Sequence, residues 1–332
     1  MKRVTMKDKT SAISMPPSVR LESVACPLGC ASADVPVVRG HDLLHDLPGE
    51  FTVLRCVACG LQRTSPRPTP ETIGVYYPSD YGPYMGTRVE NGGRDGRGLK
   101  STLLGFAKRI FDTKAQALPR MKPGRMLEIG CASGSFLHRM AQYGWQVEGI
   151  EYAETAAKSA RALGYAVDTG ALETIEKPAD SYDLIVGWMV LEHLHQPVES
   201  LRKLAGWARR DATLVVSVPN VGSVESRLFG SCWYALQLPT HLFHYDPSTI
   251  AKVMQMGGWQ VTHIHHHRTV ANIVASAGYW LRDHGLARLG QRFIRFPETG
   301  GRLGTLLTFP LALPLAWFGQ TGRMTVWARR AC

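Results

Sequence analysis

Residues 127–134 decide the fold and read Leu-Glu-Ile-Gly-Cys-Ala-Ser-Gly, from Leu127 to Gly134. They follow an apolar segment, Arg125–Ile129, and precede a segment with helical periodicity, Ser135–Tyr143. Glycine suits this position because the backbone must turn sharply and approach a ligand with no Cβ in the way. A second apolar segment, Gln146–Glu151, follows. The pattern predicts a strand, a glycine turn, a helix and a parallel neighbouring strand.

The alternation of apolar and amphipathic segments continues along the chain and predicts a doubly wound α/β sheet with helices on both faces. A helical insert of about residues 269–321 is expected before the last strand. Asp246 is expected to cap a helix whose first residue is Pro247. Further strands are expected at Asp183–Gly187, Ala212–Val218, Trp259–His266 and Met324–Arg329, and further helices at Glu154–Leu163, Pro197–Trp207 and Pro247–Met256.

Two acidic residues flank the glycine turn and indicate the kind of ligand. Glu151 lies about 20 residues after the turn, where a carboxylate can accept both ribose hydroxyls of a nucleoside. The turn lacks the glycine spacing that brings a pyrophosphate to a helix N-terminus. Glu128 would repel phosphate, but it suits the positively charged amino end of S-adenosylmethionine, directly or through water.

The motif Glu-x-Gly-x-x-x-Gly from Glu128, with Glu151 and the apolar run Tyr182–Val186, resembles the class I methyltransferases over about residues 120–265. The resemblance implies a Rossmann-like fold and a methyltransferase that uses S-adenosylmethionine. Ala132 stands where many relatives have a second glycine, and Ala171 where relatives often place an acid that contacts adenine. The implied cofactor-binding residues are Glu128, Gly130, Cys131, Ala132, Gly134, Glu151, Tyr152, Ala171, Leu172 and Trp188.

Four of the seven cysteines lie in two short turns, Cys26-Pro-Leu-Gly-Cys30 and Cys56-Val-Ala-Cys59. No apolar segment follows the basic residues at the start of the chain, so we expect a cytoplasmic protein, in which grouped thiols indicate metal rather than disulfides. Four thiolates in two turns can close a tetrahedral site for structural Zn²⁺. The spacing resembles that of a zinc ribbon and predicts a small N-terminal zinc-ribbon-like domain. The first turn has three intervening residues where two are usual, so Cys30 is the ligand that the spacing supports least. Four free thiols are the alternative.

Residues 20–85 resemble the zinc-binding N-terminal segment of bacterial methyltransferases that act on sugars or are encoded with glycan enzymes. The resemblance rests on Cys59-Gly60-Leu61, on the proline-rich run 66–70 and on the tyrosines of 76–81. It implies that Tyr76, Tyr77 and Tyr81 cover the active site and bind substrate; packing at a domain seam is the alternative for each. Residues 1–19 are expected to be a disordered basic tail, 86–98 a flexible linker and 99–332 the catalytic domain.

Two histidine segments supply candidate bases. Glu192 and His193 follow a predicted strand, so they should lie at the carboxyl edge of the sheet, where ligands bind. His241 belongs to a Pro-x-His segment that resembles one reaching over the acceptor site in relatives. Imidazole titrates near neutral pH, and transfer to oxygen needs a base beside the acceptor hydroxyl. We predict that Glu192, His193 and His241 are catalytic and that His241 also contacts substrate; a structural role in the loop is the alternative.

The insert combines basic and apolar character. The chain has a net charge of +11, which favours anionic partners. The apolar run Leu303–Phe318 contains Pro310 and Pro314 and is too short to span a membrane. This order fits a peripheral contact at the inner membrane face or a pocket for a lipid-linked acceptor. A dimer interface or a helical cap is the alternative. The arginines that precede the run are Arg282, Arg288, Arg292, Arg295 and Arg302.

Three functions are compatible with these patterns. The first is methyl transfer to a small or lipid-linked acceptor, a sugar hydroxyl in glycan or secondary-metabolite biosynthesis. The second moves the methyl group to a carbon of a nucleotide-linked deoxysugar, which needs a base to create a carbanion. The third is a zinc-ribbon nucleic-acid-binding protein with a degenerate methyltransferase fold. Basic residues are scattered rather than striped, which disfavours nucleic acid as partner.

Overall fold

The computed structural model describes residues 15–78, 121–299 and 301–331. The side chains of residues 298, 301–303, 305 and 306 are not described. Tyr81, the expected linker 86–98 and residues 1–14 of the expected tail lie outside the described residues.

The strands, in chain order, are β1 (Leu21–Glu22), β2 (Asp34–Gly40), β3 (Phe51–Cys56), β4 (Gln62–Thr64), β5 (Arg67–Pro68), β6 (Arg125–Ile129), β7 (Gln146–Glu151), β8 (Ala166–Thr169), β9 (Tyr182–Trp188), β10 (Ala208–Pro219), β11 (Phe243–His244), β12 (Trp259–His266) and β13 (Arg323–Arg330). The α-helices are α1 (Ser135–Gln142), α2 (Glu154–Ala162), α3 (Pro197–Trp207), α4 (Val224–Phe229), α5 (Pro247–Met256), α6 (Ala271–Asp283), α7 (Ala287–Ile294), α8 (Phe296–Thr299) and α9 (Gly301–Trp317).

A seven-stranded sheet in the order β12-β13-β10-β9-β6-β7-β8 forms the centre of the molecule. Strands β6 to β10 are parallel, and β13 runs antiparallel between β10 and β12. The strand order reverses at β6, which has β7 on one side and β9 on the other. In open α/β sheets, ligands bind at the carboxyl ends of strands beside such a reversal. The fold therefore places a binding site at the ends of β6, β7 and β9.

Alternate side chains of the central strands pack on opposite faces of the sheet. On one face, Leu127 and Ile185 join a core that includes Leu201 of α3. On the other face, Met126 joins a second core that includes Leu137 of α1. Both faces are covered by helices, as the apolar runs of these strands predict.

Several predicted elements have the bounds expected from the sequence: β6, β7, α3, α5 and β12. Asp246 caps α5, because its Oδ1 accepts the N–H groups of Ser248 and Thr249 at 2.9 and 2.8 Å. Strand β8, a four-residue strand at the edge of the sheet, is not predicted from the sequence. Too few residues of β8 alternate for periodicity to show in the sequence.

Three strands of the N-terminal region join β11 in a second sheet, in the order β11-β4-β3-β2. Strand β11 comes from the catalytic region and begins two residues after His241. Thr64 of β4 donates its N–H to Leu242 O at 2.9 Å and its hydroxyl to His241 O at 2.7 Å. Residues 20–85 and the expected catalytic domain therefore share one sheet, in which β11 pairs with β4.

Helices α6 to α9 lie between β12 and β13 and form the expected insert. Helix α9 continues through both Pro310 and Pro314, although proline usually breaks a helix interior. Within the described ranges, no helix is long and apolar enough to cross a membrane.

Candidate active site

The turn after β6 is shaped by two glycines. Gly130 has a φ of +68°, and a Cβ there would lie 2.6 Å from Val190 Cγ2. Gly134 has a φ of +80°, and its Cβ would lie 2.8 Å from the Cβ of Ala160 in α2. Gly130 also donates its N–H to Ile150 O at 2.8 Å, which joins the turn to β7. Gly130 therefore leaves room beside Val190, and Gly134 permits the close packing of α1 on α2.

Glu151 is held in place by backbone groups on both sides. Its Oε2 accepts the N–H of Ala132 at 2.8 Å, and its Oε1 accepts the N–H of Ala153 at 2.9 Å. Burial raises the pKa of this carboxyl above its ordinary value. A carboxylate accepts more than two hydrogen bonds, so Glu151 can also accept a ligand hydroxyl. The position suits the predicted contact with ribose.

A cavity of about 570 Å³ opens at the carboxyl ends of the strands, within the volume range of small-molecule sites. The predicted cofactor residues that line this cavity are Gly130, Ala132, Glu151, Tyr152, Ala171, Leu172 and Trp188. The indole Nε1 of Trp188 is buried and has no hydrogen-bond partner among the described residues, so it is available to a ligand.

Three predicted cofactor residues do not line the cavity. Gly134 acts through packing, as described above. The Cys131 side chain packs in the core with Phe136, and burial raises the pKa of its thiol. Only the backbone of Cys131 belongs to the turn, since its N–H donates to Ile150 O at 3.2 Å.

Glu128 is the third of these residues and is 2% exposed. Its Oε2 accepts no hydrogen bond within the described part of the chain. Burial raises the pKa of this carboxyl well above its ordinary value, and the charge of Arg139 opposes that effect only in part. A buried carboxylate with an unused oxygen is suited to a positively charged ligand group.

At the other end of the cavity, one nitrogen each of His193 and His241 and a carboxylate oxygen of Glu192 lie within 4.8 Å of one another. The two imidazole rings meet edge to face, with centroids 4.7 Å apart. His193 and His241 line the cavity, whereas Glu192 is fully buried beneath them. The structure thus brings the three predicted catalytic residues together, in an arrangement that could assist proton transfer or hold a cation.

Hydrogen bonds fix the protonation pattern of both histidines. His193 Nδ1 lies 2.9 Å from Thr240 O, and His241 Nδ1 lies 2.9 Å from Ala235 O. A carbonyl oxygen only accepts, so both Nδ1 atoms carry the proton and both Nε2 atoms remain acceptors. Burial lowers the pKa of His193 to about 4 and that of His241 well below its ordinary value. Both rings are therefore neutral at neutral pH.

Glu192 has neither carboxylate oxygen in a hydrogen bond with a described residue. Burial raises its pKa from the ordinary value of 4.5 to about 8, and the positive charge of Arg323 offsets only part of that rise. The side chain is thus largely protonated at neutral pH. The main chain of Glu192 joins the two histidine segments, because Glu192 O accepts the N–H of Leu242 at 2.8 Å.

The predicted substrate-binding tyrosines divide between two environments. Tyr77 lines the cavity, and its hydroxyl lies 2.8 Å from His193 Nδ1. Tyr76 lies outside the cavity, in the core of the N-terminal region. It packs edge-on against Phe51 at 5.6 Å and donates its hydroxyl to Pro48 O at 2.7 Å. Of the two described tyrosines, only Tyr77 is placed to contact a substrate.

The four N-terminal cysteines converge: their sulfur atoms all lie within 4.8 Å of one another. Cys26 Sγ and Cys59 Sγ are 3.5 Å apart. Gly29 and Gly60 have φ values of +73° and +84°, so glycine provides the left-handed backbone that both turns need. The donor set and its closed geometry fit a structural Zn²⁺ ion, Cys30 included.

Sequence reasoning missed other residues that line the cavity, among them Met189 and Gln237. Both have positive φ values, +59° and +41°, as does Ala132 at +46°. Left-handed backbone at residues other than glycine is strained and concentrates at functional sites. No signal in the sequence marks these positions, because methionine and glutamine do not favour that conformation.

The sheet order, the glycine turn and Glu151 define the class I methyltransferase fold. The family described as "Methyltransferase domain" matches residues 105–264. The fold and this match together support an S-adenosylmethionine-dependent methyltransferase. No curated protein matches the chain.

Several solved structures are similar to this chain at low sequence identity. An S-adenosylmethionine-dependent methyltransferase from Mesorhizobium loti is 16% identical over 66% of this chain and 100% of its own, with a TM-score of 0.45. One from Archaeoglobus fulgidus is 18% identical over 70% of this chain and 96% of its own, with a TM-score of 0.41. The magnesium protoporphyrin IX methyltransferase from Synechocystis is 16% identical over 74% of this chain and 92% of its own, with a TM-score of 0.41.

Proposed function

We propose that this protein transfers the methyl group of S-adenosylmethionine to a hydroxyl group of a small or lipid-linked sugar. One observation carries the proposal: a single cavity joins Glu151 and the glycine turn to two neutral histidines with free Nε2 acceptors. The sugar as acceptor follows from the resemblance of residues 20–85 to sugar-modifying methyltransferases.

The cofactor fits the residues that are present. Glu151 would accept the ribose hydroxyls, and the turn at Gly130 leaves the space that a Cβ would fill. The unused oxygen of Glu128 would receive the amino end, directly or through water. Trp188, Ala171 and Leu172 supply an apolar wall with backbone groups for adenine. When bound, the cofactor supplies an electrophilic methyl group on a sulfonium centre.

At the end of the cavity that contains His193 and His241, an imidazole could take the proton of the acceptor hydroxyl. His193 and His241 would orient the hydroxyl through Nε2, and one of them would take its proton as the oxygen attacks. The departing thioether is neutral and needs no acid, so one base and close positioning suffice. The Tyr77 hydroxyl, 2.8 Å from His193 Nδ1, would help to hold that ring in position.

A structural role is proposed for Zn²⁺ held by Cys26, Cys30, Cys56 and Cys59. The ion would stabilise the turn before β4. Because Thr64 of β4 holds the backbone of His241 and Leu242, the metal site would also stabilise the acceptor end of the cavity.

The testing experiment is calorimetric titration of the protein with S-adenosylmethionine and S-adenosylhomocysteine, with NAD as control. Micromolar binding of the first two and none of NAD is expected. Methyl transfer is then followed by mass spectrometry with nucleotide-linked and lipid-linked sugars. A product methylated on a sugar carbon would show that the acceptor atom is carbon and not a hydroxyl oxygen. A folded, zinc-loaded protein that binds neither sulfur compound would overturn the proposal.

A further inference from the structure

Helix α9 has one buried face and one exposed face, and both are apolar. Phe309, Ala312 and Ala316 face the protein and are at most 9% exposed. Among the side chains that the structure describes, the opposite face is apolar and faces solvent. Here called the insert face, it consists of Leu307, Pro310, Leu311, Pro314, Trp317 and Phe318. Leu307, Trp317 and Phe318 are 72%, 73% and 78% exposed. Exposed large apolar side chains in one continuous stripe mark an interaction surface.

Helix α7, which precedes this face in the chain, is strongly amphipathic and basic. Leu289 and Phe293 of α7, and Leu286 just before it, are exposed apolar side chains. Arg288 and Arg292 of the same helix are also exposed. Between residues 284 and 320 the sequence contains four arginines and a single acidic residue, Glu298. The segment that carries α7 and the insert face therefore has a net positive charge.

The far end of the insert face meets a second basic and apolar segment. Gln320, two residues after Phe318, accepts a side-chain hydrogen bond from Arg227 of α4. Its backbone oxygen accepts the N–H of Val224 at 3.2 Å. Leu228, the residue after Arg227, is 69% exposed. An exposed arginine and an exposed leucine therefore extend the pattern beyond the end of α9.

We propose that the insert face and α7 dock the protein on an anionic lipid surface. The insert face would enter the boundary between headgroups and acyl chains, while the arginines contact lipid phosphates. Charge decides between this occupant and a second copy of the chain. A two-fold interface would bring like-charged arginines together, whereas an anionic membrane neutralises them.

The insert also contacts the segment that forms the acceptor end of the cavity. Tyr234 donates its N–H to Ser276 Oγ of α6 at 2.9 Å, and its ring stacks on Tyr279 at 6.1 Å. Gln237 and His241 of the same segment line the cavity. A lipid-linked acceptor would therefore reach the site from the docked side; this last step rests on the proposed function, whereas docking itself does not.

The test is flotation of the full-length protein with vesicles made of equal parts phosphatidylglycerol and phosphatidylcholine, or of phosphatidylcholine alone. We expect binding to the anionic vesicles that weakens with salt. The double substitution Leu307→Glu with Leu311→Glu should reduce the bound fraction on the order of tenfold. Arg288→Gln with Arg292→Gln should reduce binding and its salt dependence. Tyr143→Glu, at an aromatic that is 60% exposed at the end of α1, is the matched control and should bind normally.

Titration with S-adenosylmethionine and melting curves on the same preparations separate this inference from the proposed function. Wild-type protein that binds the cofactor but ignores both kinds of vesicle would overturn docking and leave the function intact. Light scattering provides the other decisive result. A dimer that Leu307→Glu with Leu311→Glu converts to a monomer would assign the insert face to a second copy and overturn the lipid proposal.

Discussion

The two ends of the cavity are built in different ways. The centre of the cofactor end comes from one stretch, in which the turn after β6 and the end of β7 lie about 20 residues apart. Ala171, Leu172 and Trp188 complete its wall. The acceptor end combines Tyr77, His193 and His241, which are brought together by β11 and the N-terminal sheet. The cofactor end therefore depends on local backbone geometry, and the acceptor end depends on tertiary structure. Substitutions should affect the two ends separately.

The largest effect is expected at the cofactor end, with Gly130→Arg. A Cβ there already meets Val190 Cγ2 at 2.6 Å, and the φ of +68° disfavours any side chain. We expect the affinity for S-adenosylmethionine to fall below detection by calorimetry. Gly206→Ala is the matched control, because nothing lies within 4 Å of its Cβ. Wild-type affinity in Gly130→Arg would place the cofactor elsewhere.

At the acceptor end, His193→Ala and His241→Ala should lower the rate of methyl transfer and leave cofactor binding intact. Loss of the base should lower kcat by about 10²- to 10⁴-fold, because that is the usual contribution of general base catalysis. Affinity for S-adenosylmethionine, measured by calorimetry, should be unchanged. The residue with the larger loss is the base. Full activity in both variants would show that neither imidazole takes the proton.

The contrast between the two ends also explains what could be predicted from sequence. Strands β6, β7 and β12 were predicted with their observed bounds, since apolar runs and glycine turns are local signals. Glu192, His193 and His241 were predicted as candidates, but their proximity was not, because it depends on the pairing of β11 with β4. The burial that raises the pKa of Glu192 and lowers that of His193 arises only in the folded chain.

The double substitution Cys56→Ser with Cys59→Ser tests how far the acceptor end depends on the N-terminal sheet. Loss of two thiolates should release the zinc and destabilise β3 and β4. Because Thr64 then no longer holds His241, methyl transfer should fall more than cofactor affinity does. Metal analysis and melting curves measure the first effect. Cys232→Ser, a cysteine outside the cluster, is the control and should change neither.

Unchanged metal content and melting temperature in the double variant would contradict the zinc site. Loss of metal together with full activity would contradict only the link from the zinc site to His241.

The pH dependence of stability is expected to report the buried Glu192. Its pKa is about 8 in the folded state and 4.5 ordinarily, so the folded state binds the extra proton between these values. Stability therefore falls as pH rises from about 4.5 to 8, by at most about 1.4 kcal/mol per pH unit. Glu192→Gln should make this slope shallower, as measured by urea unfolding at several pH values, while the buried carboxyls of Glu128 and Glu151, whose pKa values are also raised, keep their share of it. His193 gives a slope of stability against pH with the opposite sign. Burial lowers its pKa from 6.5 to about 4, so stability is lost as pH falls from 6.5 to 4.

His193 contributes equally to wild type and Glu192→Gln, so the difference between the stabilities of the two proteins reports Glu192 alone. Parallel curves for the two proteins between pH 6.5 and 8 would show that Glu192 is already ionised in the folded protein.

The smallest effect is expected from Ala132→Gly in the glycine turn. Ala132 has a φ of +46°, a conformation that costs L-residues on the order of 1 kcal/mol and costs glycine nothing. Glycine also raises the entropy of the unfolded chain, which offsets part of the stability gained by relieving the strain. The net free energy of unfolding should rise by under about 1 kcal/mol. Ala141→Gly in α1 is the matched control and should lose about 1 kcal/mol, because its backbone is helical. Equal losses in the two variants would mean that the turn is not left-handed at Ala132. The left-handed backbone at Ala132 would then not be what directs its N–H towards Glu151 Oε2.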